Sequence, residues 1–154
     1  MKLRIISPGR VKDAWLQAGL DDYGKRLRRY SQVVFDLVND APDQLPLERA
    51  LREEADRIMS RIRSQDFVVL LDLGAAQMSS EQFAAQLMNW MEAGGSEVVF
   101  VIGGSRGLAD EVRGRAQIRM AVSDMTFTHQ MSRLLLLEQC YRAFRIVNNA
   151  PYHK

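Results

Sequence analysis

The sequence predicts an α/β fold: a single-domain layer sandwich built on a mostly parallel sheet. Three observations carry this. Extended and helical patterns alternate from one end of the chain to the other. Two runs, Phe67 to Leu71 and Val98 to Ile102, are continuously apolar, as strands covered on both faces are. The length of 154 residues is that of one domain, so residues 1–154 are expected to form a single unit.

The elements follow in order. Leu3 to Ile6 is a short apolar strand closed by Ser7-Pro8-Gly9. Lys12 to Tyr30 carries Trp15, Leu16, Leu20, Tyr23 and Leu27 as a helical stripe. Val33 to Val38 is β-branched, and its Asp36 between Phe35 and Leu37 marks an edge or half-exposed strand. Asn39-Asp40-Ala41-Pro42-Asp43 is turn chemistry. Leu47 to Ile62 is the clearest amphipathic helix, with Leu47, Leu51, Ala55, Ile58, Met59 and Ile62 on one face. On its outside, Glu48–Arg52 and Glu53–Arg57 are acid-before-base pairs, so this charge run reads as a solvated face.

Phe67 to Leu71 then forms a central strand. Ser79-x-x-Gln82 is a capping box, and Phe83, Leu87, Trp90 and Met91 stripe a helix that stops at Gly94-Gly95. Val98 to Ile102 is the next strand. A glycine loop and a short helix near Leu108 to Arg115 follow, then a last strand from Arg119 to Val122. The chain closes with a helix from Gln130 to about Asn148. Its four consecutive leucines, Leu134 to Leu137, are apolar all round and need cover on two sides. In so small a protein a second subunit is the expected cover, which predicts a homodimer.

Composition excludes several classes. Lys and Arg total 21 against 19 Asp and Glu, a net charge of +2, so the chain is no polycation. The balance is uneven, however. From Phe127 onward Arg133, Arg142, Arg145 and Lys154 face Glu138 alone, and both histidines, His129 and His153, lie there. A basic end on a nearly neutral body points to an anionic partner. The single cysteine, Cys140, excludes an intrachain disulfide, and no Cys/His spacing fits a metal site. No apolar run is long enough for a signal peptide or a membrane span, so a cytoplasmic protein without membrane or metal partners is expected.

Open α/β sheets bind ligands beyond the carboxyl ends of their strands. Three loops leave such ends, beginning at Leu71-Asp72-Leu73-Gly74, at Ile102-Gly103-Gly104-Ser105-Arg106-Gly107, and at Val122-Ser123-Asp124-Met125-Thr126-Phe127. The paired glycines allow backbone to approach a ligand closely, but they equally suit a plain tight turn. Neither a dinucleotide fingerprint nor a P-loop is present, which argues against a Rossmann-type or flavodoxin-type nucleotide binder. His129 reads as either a capping residue or an acid/base group. His153, in the terminal Pro151-Tyr152-His153-Lys154, reads as either a frayed end or a functional one. Cys140 and the methionines Met120, Met125 and Met131 read as packing residues.

The last third of the chain sharpens this. Phe100-Val101-Ile102-Gly103-Gly104-Ser105-Arg106-Gly107-Leu108, Met125-Thr126-Phe127-Thr128-His129-Gln130-Met131, Leu137-Glu138-Gln139-Cys140-Tyr141-Arg142-Ala143 and Pro151-Tyr152-His153-Lys154 form an ordered series that resembles the RlmH family. Those proteins are SPOUT-class methyltransferases of ribosomal RNA that use S-adenosylmethionine. Gly9, Lys12 and Trp15 resemble the family's N-terminal stretch, so the likeness covers essentially the whole chain. Thr128 departs from it, standing where proline is expected.

The resemblance implies a C-terminal trefoil knot, an exception to the usual chain-path rules. It implies a homodimer, a 70S ribosome carrying 23S rRNA as partner, and methylation of N3 of a pseudouridine in helix 69 of the assembled ribosome. By position it assigns S-adenosylmethionine to Leu71, Gly103, Val122, Ser123, Asp124, Met125, Thr126 and Phe127, with Gly103 required because a side chain would intrude on the cofactor. Among the catalytic candidates, His129, Tyr152 and His153 would manage the N3 proton. Arg133 and Arg142 would supply positive charge to the developing anion or a phosphate. The tail from Tyr152 is expected to reach across the dimer into the partner's site. A non-catalytic ribosome-binding protein of the same fold is the rival reading.

Overall fold

In a computed structural model, which describes residues 1–152, ten elements alternate as expected. They are β1 (Lys2–Pro8), α1 (Ala14–Leu27), β2 (Gln32–Val38), α2 (Leu47–Met59), β3 (Val68–Leu71), α3 (Ser80–Ala93), β4 (Glu97–Ile102), α4 (Asp110–Arg115), β5 (Ile118–Met120) and α5 (His129–Val147). The five strands form one sheet in the order β2-β1-β4-β3-β5, and every neighbouring pair is parallel. The half-exposed β2 is an edge, while β1, β4 and β3 are internal.

The period-two alternation of the inner strands sorts side chains into two cores. Leu3, Ile5, Val69, Val98, Phe100 and Ile102 pack with Leu20, Phe83, Leu87, Trp90, Leu137 and Phe144, under α1, α3 and α5. Ile6, Val68, Leu70, Val99 and Val101 pack with Ala55, Ile58 and Val112, under α2 and α4. The molecule is therefore a three-layer α/β/α sandwich. Each such large apolar side chain contributes about 1.5–3 kcal/mol by burial.

Element ends obey local chemistry. Ser79 accepts from the Gln82 N–H at 3.1 Å while Gln82 accepts from the Ser79 N–H at 2.9 Å, a complete capping box. Thr128 Oγ1 accepts from the Met131 N–H at 3.1 Å, so the residue standing in place of proline caps α5. Both expected ion pairs on α2 form, Arg52–Glu48 at 3.6 Å and Arg57–Glu53 at 3.4 Å. The face they occupy is not uniformly solvated, because Glu54 is buried.

Three expectations need correction. The stripe assigned to Lys12–Tyr30 does not lie wholly in the core: α1 begins at Ala14, and Trp15 in its first turn is 61% exposed. Leu47 is likewise exposed, because the first turn of α2 runs past the sheet. The leucine run of α5 finds its cover largely within the chain. Leu136 and Leu137 are buried, Leu134 and Leu135 are half-buried, and α5 packs on both α1 and α3. Gly19 permits the close approach of α1, since a Cβ there would lie 3.2 Å from Leu134 Cδ1.

Toward the amino ends of the strands, a polar network replaces apolar packing. The buried Arg4 guanidinium pairs with Asp66, donates to Glu97 Oε1 at 2.9 Å and to the Arg61 carbonyl at 2.7 Å. Arg63 adds contacts to Asp66 and Glu97.

Candidate functional site

At the opposite, carboxyl ends of the strands, the loops after β3, β4 and β5 converge with the first turns of α1 and α5. Together they line a cleft of about 1140 Å³. Its size is near the upper end for ligand sites, roughly 300–1,000 Å³. It therefore has room for a nucleoside-sized cofactor and part of a second reactant.

Asp72 fixes the floor. It ends the apolar β3 run, is 4% exposed, and its N–H donates to the Met120 carbonyl at 2.8 Å. Its carboxylate pairs with Arg113 at 3.1 Å and Arg119 at 2.8 Å, which ties β3 to α4 and β5. Hydrogen bonding to Asp72 holds the Arg113 guanidinium even more firmly protonated than usual. This trio is not apparent as a set in the sequence. An acid directly after a buried strand was the one available signal; nothing marked Arg113 or Arg119.

The glycine loop is a tight hairpin. Gly104 and Gly107 form an antiparallel bridge, the Gly107 N–H donates to the Gly104 carbonyl at 3.2 Å, and Gly107 has φ +97°. A Cβ at Gly103 would lie 2.7 Å from Leu108 Cγ and 2.9 Å from the Gly107 carbonyl oxygen. This adds a reason for that glycine: the loop's own closure excludes a side chain, before any ligand is considered. At Gly104 a Cβ would lie 2.5 Å from Glu54 Oε1. Burial, and then Asp40, push the Glu54 carboxyl above the usual carboxylate range. Arg106 reaches away from the loop to the carbonyls of Leu45 and Asp43, so the loop is anchored on the segment before α2.

The loop after β5 supplies an apolar rim. Val122, Met125 and Phe127 are exposed, and Leu73 faces solvent from the loop after β3. Ser123 Oγ accepts from the Met125 N–H at 3.0 Å and sets the turn. Of the expected cofactor residues, Leu71, Gly103, Val122, Ser123, Met125, Thr126 and Phe127 line the cleft. Asp124 is exposed and lies outside the lining.

The expected catalytic residues separate. His129 lines the cleft, half-buried at the first position of α5. Burial first, and the nearby Arg133 cation second, hold its imidazole below the ordinary histidine value, against a small opposing pull from Asp40. Arg133 is not available to a substrate, which corrects its assignment. It is 1% exposed, and its guanidinium donates to Ser7 Oγ at 3.0 Å, to the Gly9 carbonyl at 2.9 Å and to the Pro8 carbonyl. It fastens α5 to the end of β1. Burial lowers its pKa.

Arg142 and Tyr152 lie at the far end of α5. At 1.5 Å per residue, Arg142 is about 20 Å along the helix from His129. Arg142 pairs with Glu138 at 2.6 Å and sits over the Tyr152 ring at 4.9 Å. The Tyr152 hydroxyl lies 3.2 Å from that of Tyr23 and donates to Glu138 at 3.3 Å. Burial, with the Tyr23 hydrogen bond, pushes that phenol up. All four tyrosines gather here: Tyr141 meets Tyr23, Tyr30 and Tyr152 at centroid distances of 6.1, 6.3 and 4.8 Å. Within one chain, then, His129 is not brought together with Arg142 or Tyr152. His153 and Lys154 lie outside the described residues. Trp15, the first member of the α1 stripe, lines the cleft. Cys140 is buried in α5, and burial drives its thiol pKa upward.

Comparison with known proteins agrees with this architecture. A family model described as "Predicted SPOUT methyltransferase" matches residues 1–153. The chain is similar to the ribosomal RNA large subunit methyltransferase H of Trichlorobacter lovleyi, 44% identical with 99% of each chain covered. It is 41% identical to the protein of the same name from Acetivibrio thermocellus, over the whole of both chains. Among solved structures, a probable methylase family protein from Haemophilus influenzae superposes with a TM-score of 0.54 at 14% identity. That match covers 96% of this chain and 66% of the other, and it speaks for the fold alone. Among the described residues no helix is long and apolar enough to cross a membrane. With a family match over nearly its full length and full-length relatives above 40% identity, the chain belongs to the SPOUT methyltransferase family.

Proposed function

We propose that this protein transfers a methyl group from S-adenosylmethionine to N3 of a pseudouridine in helix 69 of 23S rRNA, acting on the assembled ribosome as a homodimer. The observation that carries the reading is the cleft itself. Three loops at the carboxyl ends of β3, β4 and β5 meet around an apolar rim, with a tight glycine hairpin on one side and a half-buried histidine at the head of α5. Full-length relatives named for methylation of large-subunit ribosomal RNA support the substrate class.

The residues present suit the cofactor. Exposed Val122, Met125 and Phe127, with Leu71, offer apolar cover for the faces of an adenine ring. The hairpin at Gly103 to Gly107 lets backbone approach closely. When bound, S-adenosylmethionine supplies an electrophilic methyl group. The transfer forms an N–CH₃ bond, breaks the S–CH₃ bond, and releases the N3 proton. Positioning of both reactants lowers the barrier. His129, held neutral by burial and by Arg133, is the acceptor for that proton inside one cleft. Tyr152 and Arg142, with His153, would act only across the dimer, in the partner's cleft.

The test is transfer of labelled methyl from S-adenosylmethionine to 70S ribosomes lacking the helix-69 methylation, alongside 50S subunits and free 23S rRNA. Label on 70S particles, mapped to N3 of the pseudouridine, is expected. Ribosome binding with no label on any substrate would favour the non-catalytic reading.

A further inference from the structure

The chain has two tryptophans, and they live in opposite environments: Trp90 is 3% exposed and Trp15 is 61% exposed. Among the described residues no aromatic ring or cation stacks on Trp15. A solvent-facing indole on the wall of this cleft is a feature that folding alone does not call for.

Its position is fixed. Trp15 stands in the first turn of α1, and the segment leading into that helix is tied to the head of α5, where Gln130 Nε2 donates to the Arg10 carbonyl at 3.2 Å. Trp15 and His129 line one cleft with Val122, Met125 and Phe127. Arg10 and Lys12 are exposed on the approach to that cleft. Asp13, at the N-cap position, makes no capping bond and lines the cleft, which leaves its carboxylate open to a donor from outside.

We propose that Trp15 is the stacking platform for a base of the RNA substrate, with Arg10 and Lys12 receiving the neighbouring phosphates. The proposal rests on the methyltransferase reading above. An enzyme that modifies a ring atom must take the base out of its stack, and an aromatic side chain replaces the lost stacking partner while leaving the base edge free for chemistry. Aromatic platforms flanked by cations are the common way to hold unpaired RNA. The exposed cations Arg10 and Lys12 beside it favour RNA over a second copy of this chain as the occupant of the indole face.

The experiment compares wild type with Trp15→Ala and Trp15→Phe in four measurements: co-sedimentation with 70S ribosomes, methyl transfer to them, S-adenosylmethionine affinity, and the sedimentation coefficient of the free protein. Trp15→Ala is expected to lower kcat/KM for ribosomes tenfold or more, mainly through KM, in keeping with the worth of one base stack. Cofactor affinity, melting temperature and sedimentation coefficient should not move, and Trp15→Phe should recover most of the loss. Alanine and wild-type proteins that pellet and transfer alike would overturn the proposal. So would a changed sedimentation coefficient for Trp15→Ala, which would assign the indole to a contact between copies. A wild type that pellets with ribosomes but transfers no methyl would remove the reaction instead. In that case, loss of pelleting in Trp15→Ala would still uphold the platform, and retained pelleting would sink it.

Discussion

Arg133→Ala would strand the Ser7 hydroxyl and the carbonyls of Pro8 and Gly9 where water does not reach. Leaving buried polar groups unsatisfied costs about 1–3 kcal/mol each, partly offset by relaxation, so a loss near 3 kcal/mol is expected in urea denaturation. Arg133→Lys should recover part of it, since an ammonium donates but cannot reproduce the planar fork. His129 tests the chemistry. Its pKa lies below the ordinary 6.5 because burial disfavours the charged form, so the neutral imidazole persists below that pH. The acidic limb of kcat/KM should therefore fall below pH 6.5, and His129→Gln should remove the limb and cost tenfold or more in rate. An unaltered limb in that variant would dismiss His129 as the proton acceptor. In the sequence both residues looked like members of one basic cluster. Burial separates them, and burial of a single arginine is a property of the packed chain that no local pattern carries.

Elements were more legible than residues. The pattern gave all ten in order, although the last strand is Ile118–Met120 and not the expected Arg119 to Val122, and the capping box predicted for Ser79 and Gln82 is present in both directions. Ser79→Ala should cost about 1 kcal/mol of stability. Helix ends were less legible, since the stripes of α1 and α2 do not say where the sheet beneath them stops. The glycine hairpin was recognised as an element, and its own closure adds a second reason for Gly103. Gly103→Ala drives a methyl group into Leu108 and the Gly107 carbonyl. A lower melting temperature and weaker S-adenosylmethionine binding should appear together. Adding Leu108→Ala should restore part of the binding by calorimetry, because it removes the side-chain half of the clash. A variant that lost binding with its melting temperature intact would instead return to the idea of direct intrusion on the cofactor.

At the scale of the molecule, the sheet has an end tied by ion pairs and an end that opens into the cleft. Toward the amino ends, Arg4 and Arg63 hold Asp66 and Glu97. Burial pushes both carboxyls up, but the hydrogen bonds and cations prevail and leave both below their ordinary values of 3.8 and 4.5. Carboxyls with lowered folded pKa values contribute stability that is present above those ordinary values and is lost as pH falls through the folded ones. Denaturation midpoints should accordingly drop below about pH 4. Asp66→Asn should lose about 2 kcal/mol at neutral pH, because Arg4 and Arg63 lose a charged acceptor while Arg4 keeps Glu97 and the Arg61 carbonyl. Cofactor affinity, set at the other end, should be unchanged by Asp66→Asn. The division was only half visible beforehand. Strand ends marked where the cleft lies, but long-range pairs such as Arg4 with Asp66 leave no trace in a linear pattern.

The gathering of all four tyrosines between α1 and the far end of α5 gives the molecule an optical address. Phenol absorbance would report from this one place in each chain. A change at the C-terminal end would show in the phenol bands while the signal of Trp15, at the other end of α5, stayed still. Events at the two ends of one helix could thus be followed separately in the native chain, with no label added.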